Sequence, residues 1–209
     1  MRLDSVHTSG VATWWMALCA VTLLNIGLWR LSASVIDERK QYLSPELYRF
    51  QRWQLILAAV YVFGCAFRAI LPRADVQRMG LVDSWLSSVM MGRSVATIAE
   101  ICFVIQWALM LNVLAKECGS RLGLATSWLL VPMIVVAEVC SWYAVLTTCY
   151  LGNVIEESLW TASALLLLIS SLSLWPRCRA RLRPILAVAM VLCTVYVVFM
   201  CMVDVPMYA

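Results

Sequence analysis

The sequence predicts an all-α fold, a polytopic integral membrane protein built as a bundle of six transmembrane helices, and two observations carry the prediction. The 209 residues are 63% hydrophobic and 13% charged, with a mean hydropathy of +0.85, so a water-soluble fold would lack the polar surface it needs. The apolar residues also fall in six continuous runs, each near the roughly 20 residues that cross a hydrocarbon core of about 30 Å. Barrel strands would alternate apolar and polar residues instead. A single transmembrane domain over residues 1–209 accounts for the whole chain, with no linker, low-complexity stretch or internal repeat to divide it.

The first span runs from Val11 to Trp29 and is flanked by Trp14 and Trp29, residues that favour the headgroup level. Its apolar run is longer than a signal-peptide core, and Arg30 intervenes before the small residues Ser32, Ala33 and Ser34, so the segment reads as a retained span. The second span, Trp53 to Leu71, is preceded by a helix-start signal at Ser44, Pro45 and Glu46: a hydroxyl cap, a proline at the first helical position and an acid in the first turn. It stops at Pro72. The third and fourth spans run from Ser94 to Leu114 and from Leu124 to Thr148. The fifth, Ile155 to Trp175, opens on Asn153 and Glu156, an asparagine version of the capping box. A connection of only a few residues around Leu151 to Asn153 makes the fourth and fifth helices antiparallel neighbours. The sixth span is Ile185 to Val203, and the lack of a soluble tail after it leaves room for a missing C-terminal part.

Between the second and third spans, Pro72 to Gly92 is too polar to cross a membrane. Asp75, Arg78, Asp83 and Arg93 accompany an apolar stripe of Met79, Val82, Leu86 and Val89, which predicts an amphipathic interfacial helix over the outer mouth of the bundle.

Basic residues set the orientation. Arg30, Arg39, Lys40, Arg49, Arg52, Lys116, Arg121, Arg177, Arg179, Arg181 and Arg183 all belong to connections on one side, which the excess of Lys and Arg marks as cytoplasmic. Both termini then lie outside or in a lumen, in a membrane whose type the sequence leaves open. The run from Arg177 to Arg183 reads as a topology determinant attracted to anionic lipid, and no nucleic-acid partner is expected.

Charged residues inside the spans are expensive in hydrocarbon and mark where function is first sought. Arg68 lies near the outer end of the second span, Glu100 about 10 Å below the outer end of the third, and Glu138 about 15 Å from the outer end of the fourth, at 1.5 Å per residue. Arg93, Thr97 and Glu100 follow one face of the third helix, and Glu138, Ser141, Trp142 and Val145 one face of the fourth. Asp204 follows the sixth span on the same side. The expected ligand pocket, lined by the second, third, fourth and sixth helices and open outward, therefore uses Arg68, Arg93, Glu100, Glu138, Trp142 and Asp204. Pro132 removes a backbone hydrogen bond shortly before Glu138 and loosens that helix. For Arg68 and Glu100 a purely structural ion pair competes evenly with a ligand role.

Several chemistries are excluded. The one histidine, His7, lies before the first span, so multi-histidine metal centres, bis-histidine haem ligation and Ser-His or Cys-His nucleophile pairs within the bundle are unavailable. No phosphate-binding or dinucleotide glycine fingerprint occurs. The nine cysteines include no CxxC pair and lie mostly within spans (Cys19, Cys65, Cys102, Cys140, Cys193 and Cys201), which predicts core packing rather than redox or zinc chemistry. No cofactor and no metal are expected. Three function classes remain: binding or translocation of a small or lipidic anionic ligand; a membrane hydrolase or transferase with Glu100 and Glu138 as acid and base; and a noncatalytic assembly subunit whose buried charges specify helix pairing. The bilayer itself, an anionic lipid or small anion, and a homo-oligomer or larger membrane complex are the partners these classes imply.

Overall fold

The computed structural model describes the backbone of residues 3–74, 79–81 and 84–208, and the side chains of residues 10–72, 81 and 84–208. Among the described residues six helical stretches are long and apolar enough to cross a membrane, Gly10–Glu38, Pro45–Ile70, Val89–Glu117, Arg121–Thr147, Tyr150–Leu174 and Ala180–Tyr208. The chain is an all-α, multi-pass integral membrane protein.

Each helix begins ahead of its apolar run. Helix α1 is Leu3–Glu38. Helix α2, Pro45–Ile70, starts as the sequence signals: Ser44 caps it by accepting from the Leu47 N–H, and proline occupies the first turn. Helix α3 is Val89–Glu117. It turns into α4, Arg121–Thr147, through Gly119, whose φ of +62° is the left-handed conformation that glycine adopts without a Cβ penalty. The Ser120 N–H reaches back to Ala115 O at 2.9 Å, and the Ser120 hydroxyl caps α4 at Gly123 N–H. Pro132 lies inside α4, which continues through it. Helix α5 is Tyr150–Leu174 and α6 is Arg183–Phe199. After α6 the chain passes through a π-turn, Met200–Asp204, where Val205 N–H bonds Met200 O, and continues into α7, Val205–Tyr208. Pro206 has no N–H to give an ordinary i→i−4 bond, which accounts for a wider turn just before it.

The chain divides into two compact units, Met1–Phe103 and Val104–Ala209, with the boundary inside α3. In unit 1, α1 lies antiparallel on α2. The indole N–H of Trp15 donates to Ala69 O at 3.1 Å and that of Trp29 to Leu55 O at 3.0 Å. Trp29, expected at the headgroup level, also meets Phe63 edge to face at 5.5 Å. Helix α2 approaches the start of α3 at small residues: a Cβ added to Gly64 would lie 2.6 Å from the Ala99 Cβ. Tyr61 stacks on Phe103 at 4.5 Å beside that contact.

In unit 2, α4 buries one stripe of mostly small or polar residues, Gly123, Thr126, Ser127, Leu130, Ile134, Ala137, Glu138, Ser141, Ala144 and Val145. Small residues let helix backbones approach closely where lipid gives no hydrophobic drive between helices. Gly152 on α5 is the clearest case, since a Cβ there would stand 2.6 Å from Cys140 O and 2.8 Å from the Ala144 Cβ. Farther along the pair, the Ser170 hydroxyl donates to Thr126 Oγ1 at 2.8 Å. Asn112 on α3 donates to Ser127 Oγ at 2.9 Å. Leu111, Leu114, Leu130, Leu174 and Leu186 form the apolar core at this end.

Four expectations are corrected. The segment after α2 is not an interfacial helix: Arg73–Ala74 (β1) pairs antiparallel with Met79–Gly80 (β2), followed by a 3-10 turn at Trp85–Ser87 capped by Ser84. Pro72 closes the preceding helix and the capping box at Ser84 and Ser87 opens the next turn, so local backbone chemistry overrides the 3.6-residue apolar stripe. Asp75, Arg78, Val82 and Asp83 lie outside the described residues, as does the side chain of His7. Asn153 and Glu156 do not cap α5, which already begins at Tyr150, so the connection to α4 is Thr148 and Cys149 alone. Thr148 takes φ +57° to make that tight turn. Asp204 does not follow the last span but lies within it. Lastly, Cys118 and Cys178 form a disulfide across 60 residues, with Cα atoms 5.7 Å apart. Spacing alone does not reveal which cysteines meet.

The close approach at Gly64 generates a paired test. Gly64→Ala should destabilise the protein by about 1–3 kcal/mol, the usual range for overpacking, read as a lowered melting temperature in detergent. Adding Ala99→Gly should recover most of the loss, and an unchanged or further lowered melting temperature in the double variant would refute the contact.

Candidate functional site

In unit 1 the residues Tyr61, Gly64, Cys65 and Arg68 fall at i, i+3, i+4 and i+7, so one face of α2 presents an aromatic ring, a gap and a guanidinium together. That face borders a cavity of about 920 Å³. Trp14 and Leu18 of α1 form an apolar wall, Ala96, Ala99 and Glu100 supply the α3 side, and Pro72 and Leu81 close it beyond the end of α2. Arg68 and Glu100 both line it.

Two arginines of unit 1 converge on one carboxylate. Arg93 Nη2 lies 3.6 Å from Glu100 Oε2, and Arg68 Nη1 lies 4.0 Å from Glu100 Oε1. Arg93 and Glu100 are two helical turns apart on α3, so the first contact runs along one face of that helix. The two arginines differ in environment. The Arg93 side chain is 7% exposed and that of Arg68 is 39% exposed. Arg93 is thus a buried counter-ion of Glu100, whereas Arg68 stands at the cavity wall where a ligand can reach it.

The remaining expected site residues belong to unit 2. Glu138 is buried on the inner stripe of α4, 3% exposed, and Trp142, one turn farther, is half-buried. Asp204 sits half-buried in the π-turn, and the Tyr208 ring one turn beyond stacks on Tyr150 of α5 at 6.2 Å. Glu156, which its spacing assigns to a cap, is instead buried, 4% exposed, and accepts a long 3.4 Å hydrogen bond from the Asn153 amide. Its carboxylate oxygens and those of Glu138 come within 4.8 Å of one another.

Sequence reasoning missed the participation of α1 in the cavity and read Trp14 only as an interfacial anchor. The spacing of Tyr61, Gly64 and Arg68 was available as a signal, because a small residue flanked one turn away on each side by an aromatic and a charge marks a helix face that another group approaches.

No protein-family model, curated protein or solved structure matches the chain.

The asymmetry between the arginines yields a direct test. Arg93→Gln removes a buried partner and should lower stability by about 3–5 kcal/mol, whereas Arg68→Gln, at an exposed and longer contact, should change it by about 1 kcal/mol or less. Urea or thermal unfolding of the two variants in the same detergent checks the order, and equal losses would contradict it.

Proposed function

We propose that this protein binds an anionic amphiphile, with the acidic head at Arg68 and the apolar tail along the α1–α2 wall of the unit 1 cavity. The observation that carries the reading is a partly exposed arginine set in the wall of an otherwise largely apolar cavity. An arginine offers a planar fork of donors that matches phosphate and carboxylate oxygens. Trp14, Leu18, Ala69 and Leu81 offer apolar contact beside it. A volume of about 920 Å³ falls at the upper end of the range of roughly 300–1,000 Å³ typical of small-molecule sites. Glu100 then fixes the Arg68 head group and, through its own charge, disfavours ligands carrying their anion deeper than Arg68. Arg93 holds that carboxylate in place.

The orientation belongs to the same proposal. Both termini face the extracytoplasmic side, because the connections on the opposite side hold eleven of the sixteen basic residues. The Cys118–Cys178 pair lies on that basic side, and disulfides persist mainly in oxidising compartments. Charges spread over three connections outweigh one cysteine pair.

Lipids retained by the purified protein test the binding reading. Native mass spectrometry of wild type should show an anionic phospholipid surviving detergent exchange, and Arg68→Gln should lose it while keeping its melting temperature. A variant that folds and retains the same lipid complement overturns the site. For orientation, a glycosylation acceptor with a flexible spacer inserted at Leu81 should be modified, and one inserted at Gln41 should not. The reverse pattern places the termini in the cytosol.

A further inference from the structure

Helices α4 and α5 place two i, i+3 pairs of oxygen-bearing side chains against each other in the interior of unit 2. On α4 they are Glu138 and Ser141, and on α5 Asn153 and Glu156, all under 10% exposed. The close approach of Gly152 to Cys140 O and Ala144 sets the register of this antiparallel pair, so Asn153 and Glu156 run along α5 in the direction that leads toward Glu138. The carboxylate oxygens of Glu138 and Glu156 lie within 4.8 Å of each other. Two carboxylate charges at that distance repel, and a cation bridging them relieves the repulsion.

A second, independent observation points to a ligand. The Asn153 Nδ2 is spent on Glu156, while Asn153 Oδ1, on the same amide carbon, is buried with no hydrogen-bond partner among the described residues. The Ser141 hydroxyl, one turn from Glu138 and fully buried, also lacks one among the described residues. Buried polar atoms in native proteins are almost always satisfied, and exceptions call for an unseen water or ion. An amide carbonyl oxygen can accept a proton donor or ligate a metal but cannot donate, so its complement is a positively polarised partner.

We propose that Glu138, Glu156 and Asn153 Oδ1, with Ser141 Oγ as a further ligand, form a binding site for a hard divalent cation. The donor set is oxygen throughout, with two carboxylates, an amide carbonyl and a hydroxyl, which suits magnesium, calcium or manganese and not the softer metals that favour thiolate or imidazole. A charge of +2 offsets carboxylate charge that hydrocarbon does not solvate. The proposal does not depend on the ligand reading given for unit 1.

The test is manganese binding to the purified full-length chain in detergent, followed by the electron paramagnetic resonance signal of the free ion, with magnesium and calcium as competitors. Wild type should take up one manganese equivalent that excess magnesium or calcium displaces. Glu156→Gln and Asn153→Leu should each weaken uptake about tenfold or more, the scale on which a lost ligand or orienting partner acts. Asn153→Leu changes no charge and packs a side chain of similar size, so it decides the matter if Glu156→Gln does not fold. No uptake by wild type up to about 1 mM, the weak end for oxygen-ligand sites, or equal uptake by wild type and Asn153→Leu, overturns the proposal.

Discussion

Hydrocarbon accepts no hydrogen bond and solvates no charge, and the architecture follows from meeting that demand inside the chain. Backbone groups are met by long helices that begin ahead of their apolar segments. Polar side chains find partners on neighbouring helices: Trp15 and Trp29 donate to carbonyls of α2, Ser170 to Thr126, and Asn112 to Ser127. Such contacts need backbones close together, and Gly64 and Gly152 supply that closeness by having no Cβ. Polar satisfaction and tight packing are one requirement here, since a helix pushed outward by a single methyl would also pull its neighbours' donors from their acceptors.

The same demand explains why the charges do not all play one role. Arg93 and Glu100 lie along a single helix face, and the burial of Arg93 makes it a fixed counter-ion. Arg68 reaches the same carboxylate from another helix at a longer distance and keeps access to the cavity. One carboxylate thereby anchors one arginine and presents the other. In unit 2 the polar groups are of another kind, with acceptors gathered on facing stripes of α4 and α5.

Much of this was legible in the residues. Composition and run length predict six spans, and Ser44, Pro45 and Glu46 mark the start of α2 where it occurs. The approach of Arg68, Arg93 and Glu100 agrees with helix direction and depth, since Arg68 lies in the last turn of α2 and Arg93 and Glu100 in the first part of α3. What spacing could not supply was the competition between local rules. Asn153 and Glu156 satisfy a capping pattern, yet the left-handed turn at Thr148 starts α5 three residues before Asn153 and carries both residues into the interior. Met79 and Leu86 fit an amphipathic helix, yet a short hairpin and a capped 3-10 turn take the segment. The pairing of Cys118 with Cys178 is a property of the folded chain and leaves no trace in the spacing of nine cysteines.

That pairing gives the hairpin of α4 and α5 an unusual mechanical status. Cys118 precedes α4 and Cys178 follows α5, so the two helices form a loop closed by a covalent bond. Tension applied along the chain, whether by an insertion machine, an extracting protease or a probe pulling on a terminus, passes from α3 to α6 through the sulfur bridge and bypasses the loop. The helices bearing Glu138, Asn153 and Glu156 would therefore leave the bilayer as one body or not at all, while the helices outside the loop can be drawn out one at a time.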